Sequence, residues 1–256
     1  MSKCVSAPKH CKYASSAIER TAVCPGSVRM CSPLPEVETS WSKDGTDTHT
    51  CLERFGRAGY HKRLQTETLL RKEFPLQTVM YAGWTYDQIM RRIPKGADVS
   101  FERKVKLGWI NPDFGGTLDV SIIELFGTLE ICDLKAGAGV MVEPGTKGRP
   151  NLQLASYALA VAHEHDYNFN DVKLTILQPR IPHPKGLIRT HTMTVDELTQ
   201  LDKKFKAIIR AAENPRAPLV AGEHCRFCRA KDICSEYPNR VMRGASSDFD
   251  NLTLED

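Results

Sequence analysis

Apolar positions recur along the chain with two different periods, and the change between them marks out its elements. Over residues 97–135, "ADVSFERKVKLG", "GGTLDVSIIEL" and "GTLEICDLK" are rich in Val, Ile and Leu and are separated by Asn-Pro-Asp and Phe-Gly turn signals. That pattern predicts three strands in an antiparallel meander. "RPNLQLASYALAVAHEH" follows with apolar residues at Leu152, Ala155, Leu159 and Ala162, the spacing of a helix, and with Pro150 near its first turn. "DVKLTILQP" and "GLIRTHTM" read as strands on either side of a Pro-rich loop, and a long helix is expected over 195–212. Upstream, a short helix is expected over 15–22. A second helix is expected in "DGTDTHTCLERFGRAGYHK", capped by Thr46 or Asp47 and ending near Gly59, and a third over 85–93, stopped by Pro94. Strands, a helix, more strand and a helix imply an α/β domain with a mixed central sheet flanked by helices.

Composition narrows the class. The chain has 256 residues, 41% of them apolar, enough for one sizeable domain or a domain with a small appendage. Charges are abundant but mixed, with a formal net charge of +4, so a basic nucleic-acid face has to be a local patch. No run of eighteen apolar residues occurs, and "MSKCVSAPKHCKYASS" lacks the apolar centre of a secretory signal; the expectation is a soluble cytoplasmic protein without a membrane partner. Nine cysteines, an odd number, point in that setting to metal or cluster ligation rather than a disulfide framework.

The stretch "LEICDLKAGAG" sets the chemical question. A buried strand ends there on Asp133 and Lys135, two charges that are costly to bury unless paired or bound. The acid-x-Lys triplet is common in this chain: Glu102 to Lys104, Asp171 to Lys173 and Asp202 to Lys204 repeat it. Its surroundings distinguish Asp133. Asp119 lies on the preceding strand, and Gln153 and Tyr157 share one face of the following helix, four residues apart. Asp133 and Lys135, two apart on a strand, address one face. Carboxylates converging from adjacent strands are hard oxygen ligands suited to Mg2+ or Mn2+, to which the Leu134 carbonyl could add a third. Lys135 could orient or activate a water and offset charge in a transition state. The glycines after Lys135 do not follow the order of a phosphate-binding loop, since the lysine precedes them.

These residues resemble the PD-(D/E)XK nuclease superfamily, and within it the RecB-like branch. "GTLD" with Asp119 looks like the first acidic motif, "DLK" with Asp133 and Lys135 like the second, and "QLASY" like the Gln-x-x-x-Tyr helix. "GTDTH" matches the Gly-x-x-x-His motif, in which His49 is implied as a further metal ligand, and Glu102 resembles an acid often found on the strand before the first acidic motif. The resemblance implies a restriction-endonuclease-like core over 45–215. Before it would lie an N-terminal segment, 1–44, contributing a cluster cysteine; after it, a cysteine loop, 216–240, and an acidic tail, 241–256.

"CRFCRAKDIC" sets Cys225, Cys228 and Cys234 close together, and three thiolates there need one more donor to close a four-ligand site. Cys24 in "CPGS" is the distant candidate; Cys31 or Cys11 could replace it, and His224 could also donate. The arrangement is similar to the iron-sulfur RecB-like nucleases of the AddB and CRISPR-adaptation type, and implies a 4Fe-4S cluster joining the chain ends, with zinc as the alternative. Cys4, Cys51 and Cys132 are expected to pack as small apolar groups. Arg149, Arg180, Lys185 and Arg189 are candidates for phosphate contact. The functional expectation is a metal-dependent deoxyribonuclease, an exonuclease on single strands or duplex ends. Kinship to a RecB-like family of phages and prophages implies a role in recombination or replication, in a bacterial host cell if phage-encoded, beside a recombinase or single-strand annealing protein. The alternative is a non-catalytic DNA-binding or assembly protein that keeps the nuclease scaffold.

Overall fold

The computed structural model describes residues 11–35, 40–137 and 139–238; the tail expected over 241–256 lies outside them, as does Cys4. The first elements among the described residues are β1 (Tyr13–Ala14), a turn of 3-10 helix, α1 (Ile18–Val23) and α2 (Ser27–Cys31). Three helices follow, α3 (Ser40–Ala58), α4 (Arg63–Leu70) and α5 (Leu76–Met90). The meander is β2 (Asp98–Lys106), β3 (Phe114–Ile123) and β4 (Thr128–Leu134). After a small hairpin, β5 (Gly145–Thr146) with β6 (Arg149–Pro150), come α6 (Leu152–Glu164), β7 (Asp171–Leu177), β8 (Ile188–Thr194) and α7 (Val195–Glu213).

The main sheet is mixed. β2, β3 and β4 pair antiparallel, β4 and β7 parallel, and β7 and β8 antiparallel, with β1 parallel to the start of β3. The parallel pair requires a crossover, and α6 supplies it. Strand alternation divides the core. Leu129, Ile131, Val172, Leu174 and Ile176 face α6 and α7, whereas Cys132 and Leu134 of β4 face α3 and α5 with Leu52, Phe55, Val79 and Ile89. Helix α6 is buried almost all round, from Leu154 to Ala162, and its apolar composition follows from that central position.

β2 to β4, β7, β8, α6 and α7 fall where the periodicity places them, whereas β1, β5 and β6 have no counterpart in the sequence reading and the first helices differ. Helix α3 is already formed at Ser40, so Thr46 and Asp47 are interior residues and not caps. The hydroxyls of Thr46, Thr48 and Thr50 donate to the carbonyls of Ser42, Asp44 and Thr46, the back-bonding that lets threonine sit inside a helix. Gly59, at φ 80, ends α3 as expected. Helix α4 has no counterpart in the sequence reading, and α5 starts at Leu76, after Pro75, rather than near residue 85. No described helix is long and apolar enough to cross a membrane.

One irregularity positions the site. β2 and β3 pair residue for residue, Phe101 with Val120 and Arg103 with Leu118, but Glu102 and Asp119 between them form no ladder pair. Glu102 has φ 48, in the left-handed region that a long side chain rarely adopts. The faces exchange there: Phe101 and Val120 pack on the α3 side, Val105 and Leu118 on the α6 side. An uninterrupted strand would place residues 101 and 105 on the same face.

Candidate active site

Three acids occupy one row across three strands. The β2–β3 register sets Glu102 opposite Asp119, and extending the β3–β4 register one step beyond Val120 and Cys132 sets Asp119 opposite Asp133. Like charges at directly opposed positions are destabilising, so the row needs a compensating cation. His49, from the middle of α3, meets it: Nδ1 lies 3.1 Å from Asp119 Oδ1 and 3.8 Å from Glu102 Oε1. Among the described residues, His49, Glu102 and Asp119 are the one group of three or more His, Cys, Asp or Glu whose donor atoms all lie within 4.8 Å of one another. Asp119 Oδ2 accepts the Leu134 N–H at 2.7 Å.

The second half of the site is a hydrogen-bonded group around Asp133. Lys135 Nζ lies 2.8 Å from Asp133 Oδ2 and donates to Gln153 Oε1 at 2.9 Å, while Gln153 Nε2 donates to Asp133 Oδ1 at 3.0 Å. Gln153 stands in the first turn of α6, and the side chain of Asn151 caps that helix by accepting the Leu154 N–H. Tyr157, one turn further on, is buried; a Cβ added at Gly116 would come 3.1 Å from its hydroxyl oxygen.

Charge and burial compete here. Burial works against a charged His49, but the Asp119 carboxylate beside it, helped by Asp133 and Glu102, raises it to about 9. Burial and the neighbouring Asp119 charge raise Glu102 to about 7. Asp119 is lowered despite burial because it faces His49 and the Leu134 amide. Asp133 is raised, since burial and the Asp119 charge outweigh Lys135. Burial opposes the charge on Lys135, yet Asp133 raises it above the ordinary lysine value, and burial raises Tyr157. At neutral pH the group can therefore offer a cationic lysine and a neutral tyrosine to an anion.

The cysteines form a separate site. Cys24, Cys225, Cys228 and Cys234 line one cavity, to which His224 also contributes. The Val220 N–H donates to Cys24 Sγ and the Gly222 N–H to Cys225 Sγ, both at 3.3 Å. Gly26 makes this approach possible: its N–H bonds Pro218 O at 3.0 Å, and an added Cβ would come 2.7 Å from the Ala217 carbonyl oxygen. Cys31 Sγ lies 3.6 Å from Cys228 Sγ without lining the cavity, and His224 Nε2 is 2.9 Å from the Val220 carbonyl. Burial and the Cys31 thiol push Cys228 up to about 11. Cys51 and Cys132 are buried in the α3-side core.

The basic candidates separate. Arg180 is ion-paired to Asp44 and lies over the Tyr81 ring, 4.6 Å from its centroid. Arg189 is buried and donates to Gly186 O, Val142 O and Gln178 Oε1. Both are committed to protein partners, while Arg149 and Lys185 are exposed. Asp44 and Glu19 escaped the sequence reading. Asp44 also accepts from Thr78, and Glu19 Oε1 accepts the Leu152 N–H at 2.6 Å. No local pattern announces contacts between residues so far apart in the chain.

Solved structures with a similar course of chain include a protein from Eubacterium rectale described as a "Putative exonuclease". It is 10% identical, with 96% of this chain and 90% of that chain covered and a TM-score of 0.46. An alkaline exonuclease from Laribacter hongkongensis is 12% identical, with 79% and 90% covered and a TM-score of 0.33. The family model described as "Protein of unknown function (DUF2800)" matches residues 10–256, and the chain belongs to that family.

Proposed function

We propose that the protein is a divalent-metal-dependent deoxyribonuclease of the RecB-like branch of the PD-(D/E)XK superfamily, acting as an exonuclease on DNA ends. The observation that carries this reading is the row of Glu102, Asp119 and Asp133 beside Lys135 and His49. Three carboxylates gather beside Lys135 and His49, and they raise His49, so the pocket favours a cation. Oxygen and imidazole donors in that arrangement fit Mg2+ or Mn2+. His49, Glu102, Asp119 and Asp133 would hold the ion, which would supply electrophilic stabilisation of a phosphodiester and a more acidic bound water. Lys135, kept protonated by Asp133, acts as a fixed cation toward charge developing on phosphate oxygen, a role that fits it better than that of base. Gln153 holds Lys135 and Asp133 in one orientation, and the Tyr157 hydroxyl is a neutral donor toward the same region. Arg149 and Lys185 are the exposed cations available to DNA phosphates.

The cysteine cavity supports a 4Fe-4S cluster held by Cys24, Cys225, Cys228 and Cys234. Backbone N–H groups directed at two of the sulfurs suit thiolate ligands, whose charge they stabilise. Iron and acid-labile sulfide in anaerobically purified protein support this reading, and stoichiometric zinc in colourless protein replaces it.

The nuclease reading is tested with end-labelled single- and double-stranded DNA and Mg2+ or Mn2+. Wild type is expected to release short products, and Asp133→Ala and Lys135→Ala to lose at least about a hundredfold in kcat. Undiminished cleavage by both variants would overturn it.

A further inference from the structure

Helix α1 touches both sites. At one end Cys24 accepts the Val220 N–H at 3.3 Å, and the turn after it is tied to Pro218 through Gly26. At the other end Glu19 Oε1 accepts the Leu152 N–H at 2.6 Å. Leu152 is the first residue of α6, and the next residue, Gln153, holds Lys135 and Asp133. A first-turn amide has no partner within its own helix, and a carboxylate in that place is favoured by charge and by the helix dipole. Asn151 satisfies the Leu154 amide, so Glu19 is a second anchor on the same turn, brought from a distant part of the chain.

We propose that Glu19 is a positioning residue through which the cysteine site fixes α6, and with it Gln153, against the catalytic group. The proposal rests on the nuclease reading. Glu19 touches none of the reacting atoms; it sets where the first turn of α6 stands, and displacement of a catalytic group by about 1 Å can cost up to about a hundredfold in rate. A carboxylate that merely stabilised the fold would lower the melting temperature and leave the turnover of folded molecules unchanged.

The experiment combines kinetics with amide hydrogen exchange on the full chain. Glu19→Ala is expected to lower kcat on DNA about tenfold with KM within about twofold of wild type. Exchange at residues 152–154 should rise in the same variant. Glu19→Gln keeps an acceptor oxygen and should recover kcat to within about threefold, whereas Glu19→Asp, whose carboxylate is drawn back, should behave like the Ala variant. Cys24→Ser should raise the same exchange, and the Cys24→Ser/Glu19→Ala double variant should raise it no further. Unchanged kcat in Glu19→Ala and Glu19→Asp, or equal losses in Glu19→Gln and Glu19→Ala, would overturn the positioning role. Unchanged exchange in Cys24→Ser would overturn the link to the cysteine site. If wild type cleaves no DNA, the nuclease reading fails, and the exchange measurements still decide whether Glu19 and Cys24 hold α6.

Discussion

Glu102 joins two unfavourable features, a positive φ in the middle of a strand and a carboxylate opposite another carboxylate. Each costs stability, of order 1–3 kcal/mol for the backbone alone, and such strain persists where the surrounding structure imposes it. Asparagine tolerates φ 48 far better and carries no charge. Glu102→Asn is therefore expected to stabilise the metal-free protein by about 1 kcal/mol, or roughly 2–4 °C in melting temperature, and to weaken Mn2+ binding at least tenfold. Thermal melts and titration calorimetry check the two halves; unchanged Mn2+ affinity would remove Glu102 from the ligand set. His49 carries the pH dependence. Its folded value, about 9, lies above its ordinary 6.5, so the folded chain binds the extra proton. The stability this contributes is complete below pH 6.5, falls as pH rises toward 9 and is absent above it. Glu102, raised from 4.5 to about 7, acts in the same direction over its own range, because its ionisation in the fold is disfavoured. Without divalent ions, wild type should lose stability relative to His49→Gln between pH 6.5 and 9. The loss should be on the order of 1 kcal/mol after allowance for the partial exposure of the ring. A constant difference between the two melting temperatures across that range would contradict the assignment.

Helix α3 delivers His49 because it packs on β2, and Gly56 lies directly against Phe101 of that strand. A Cβ built there would stand 2.3 Å from the Phe101 ring, well inside van der Waals contact. Gly56→Ala gains helix propensity but must push α3 away from the strand, and overpacking of that kind typically costs about 1–3 kcal/mol. The variant should melt lower and bind Mn2+ more weakly, since His49 moves with the helix; a rise in melting temperature would show that the helix shifts freely. The meander, α6 and α7 were legible from runs of Val, Ile and Leu between turn signals and from apolar residues at helical spacing. So were the pairs Asp133 with Lys135 and Gln153 with Tyr157, because strand and helix periods set each pair on one face. The start of α3 was hidden by threonines whose hydroxyls bond inside the helix, and α4 by exposed Leu64 and Leu69, which blur its polar face. The row of three acids depends on register, and the Glu19–Leu152 bond on tertiary approach, neither of which local sequence encodes.

The CPGS turn and residues 217–234 meet at the cysteines, and both have little regular structure of their own. Residues 217–234 hold short turns and backbone bonds to the CPGS turn, and a free loop of that kind would fray. Joining Cys24 to Cys225, about 200 positions apart, through a bound group removes unfolded-state freedom worth up to about 5 kcal/mol in a chain-entropy account. The native geometry is already arranged for it, with Gly26 against Ala217 and sulfurs accepting backbone N–H groups. On the proposed cluster, stripping the metal it holds, or Cys225→Ser, should therefore lower the melting temperature by several degrees and open these segments before the sheet. Limited trypsin digestion should then cut first at Arg226, Arg229 and Lys231, while the fragment carrying β2 to α7 persists. Equal resistance of those sites in loaded and stripped protein would mean that the hydrogen bonds alone hold the ends. Loss of the sheet at the same rate as the ends would mean that α1 and β1 are needed for the core to fold, a result in keeping with Tyr13 and Ile18 being buried within it.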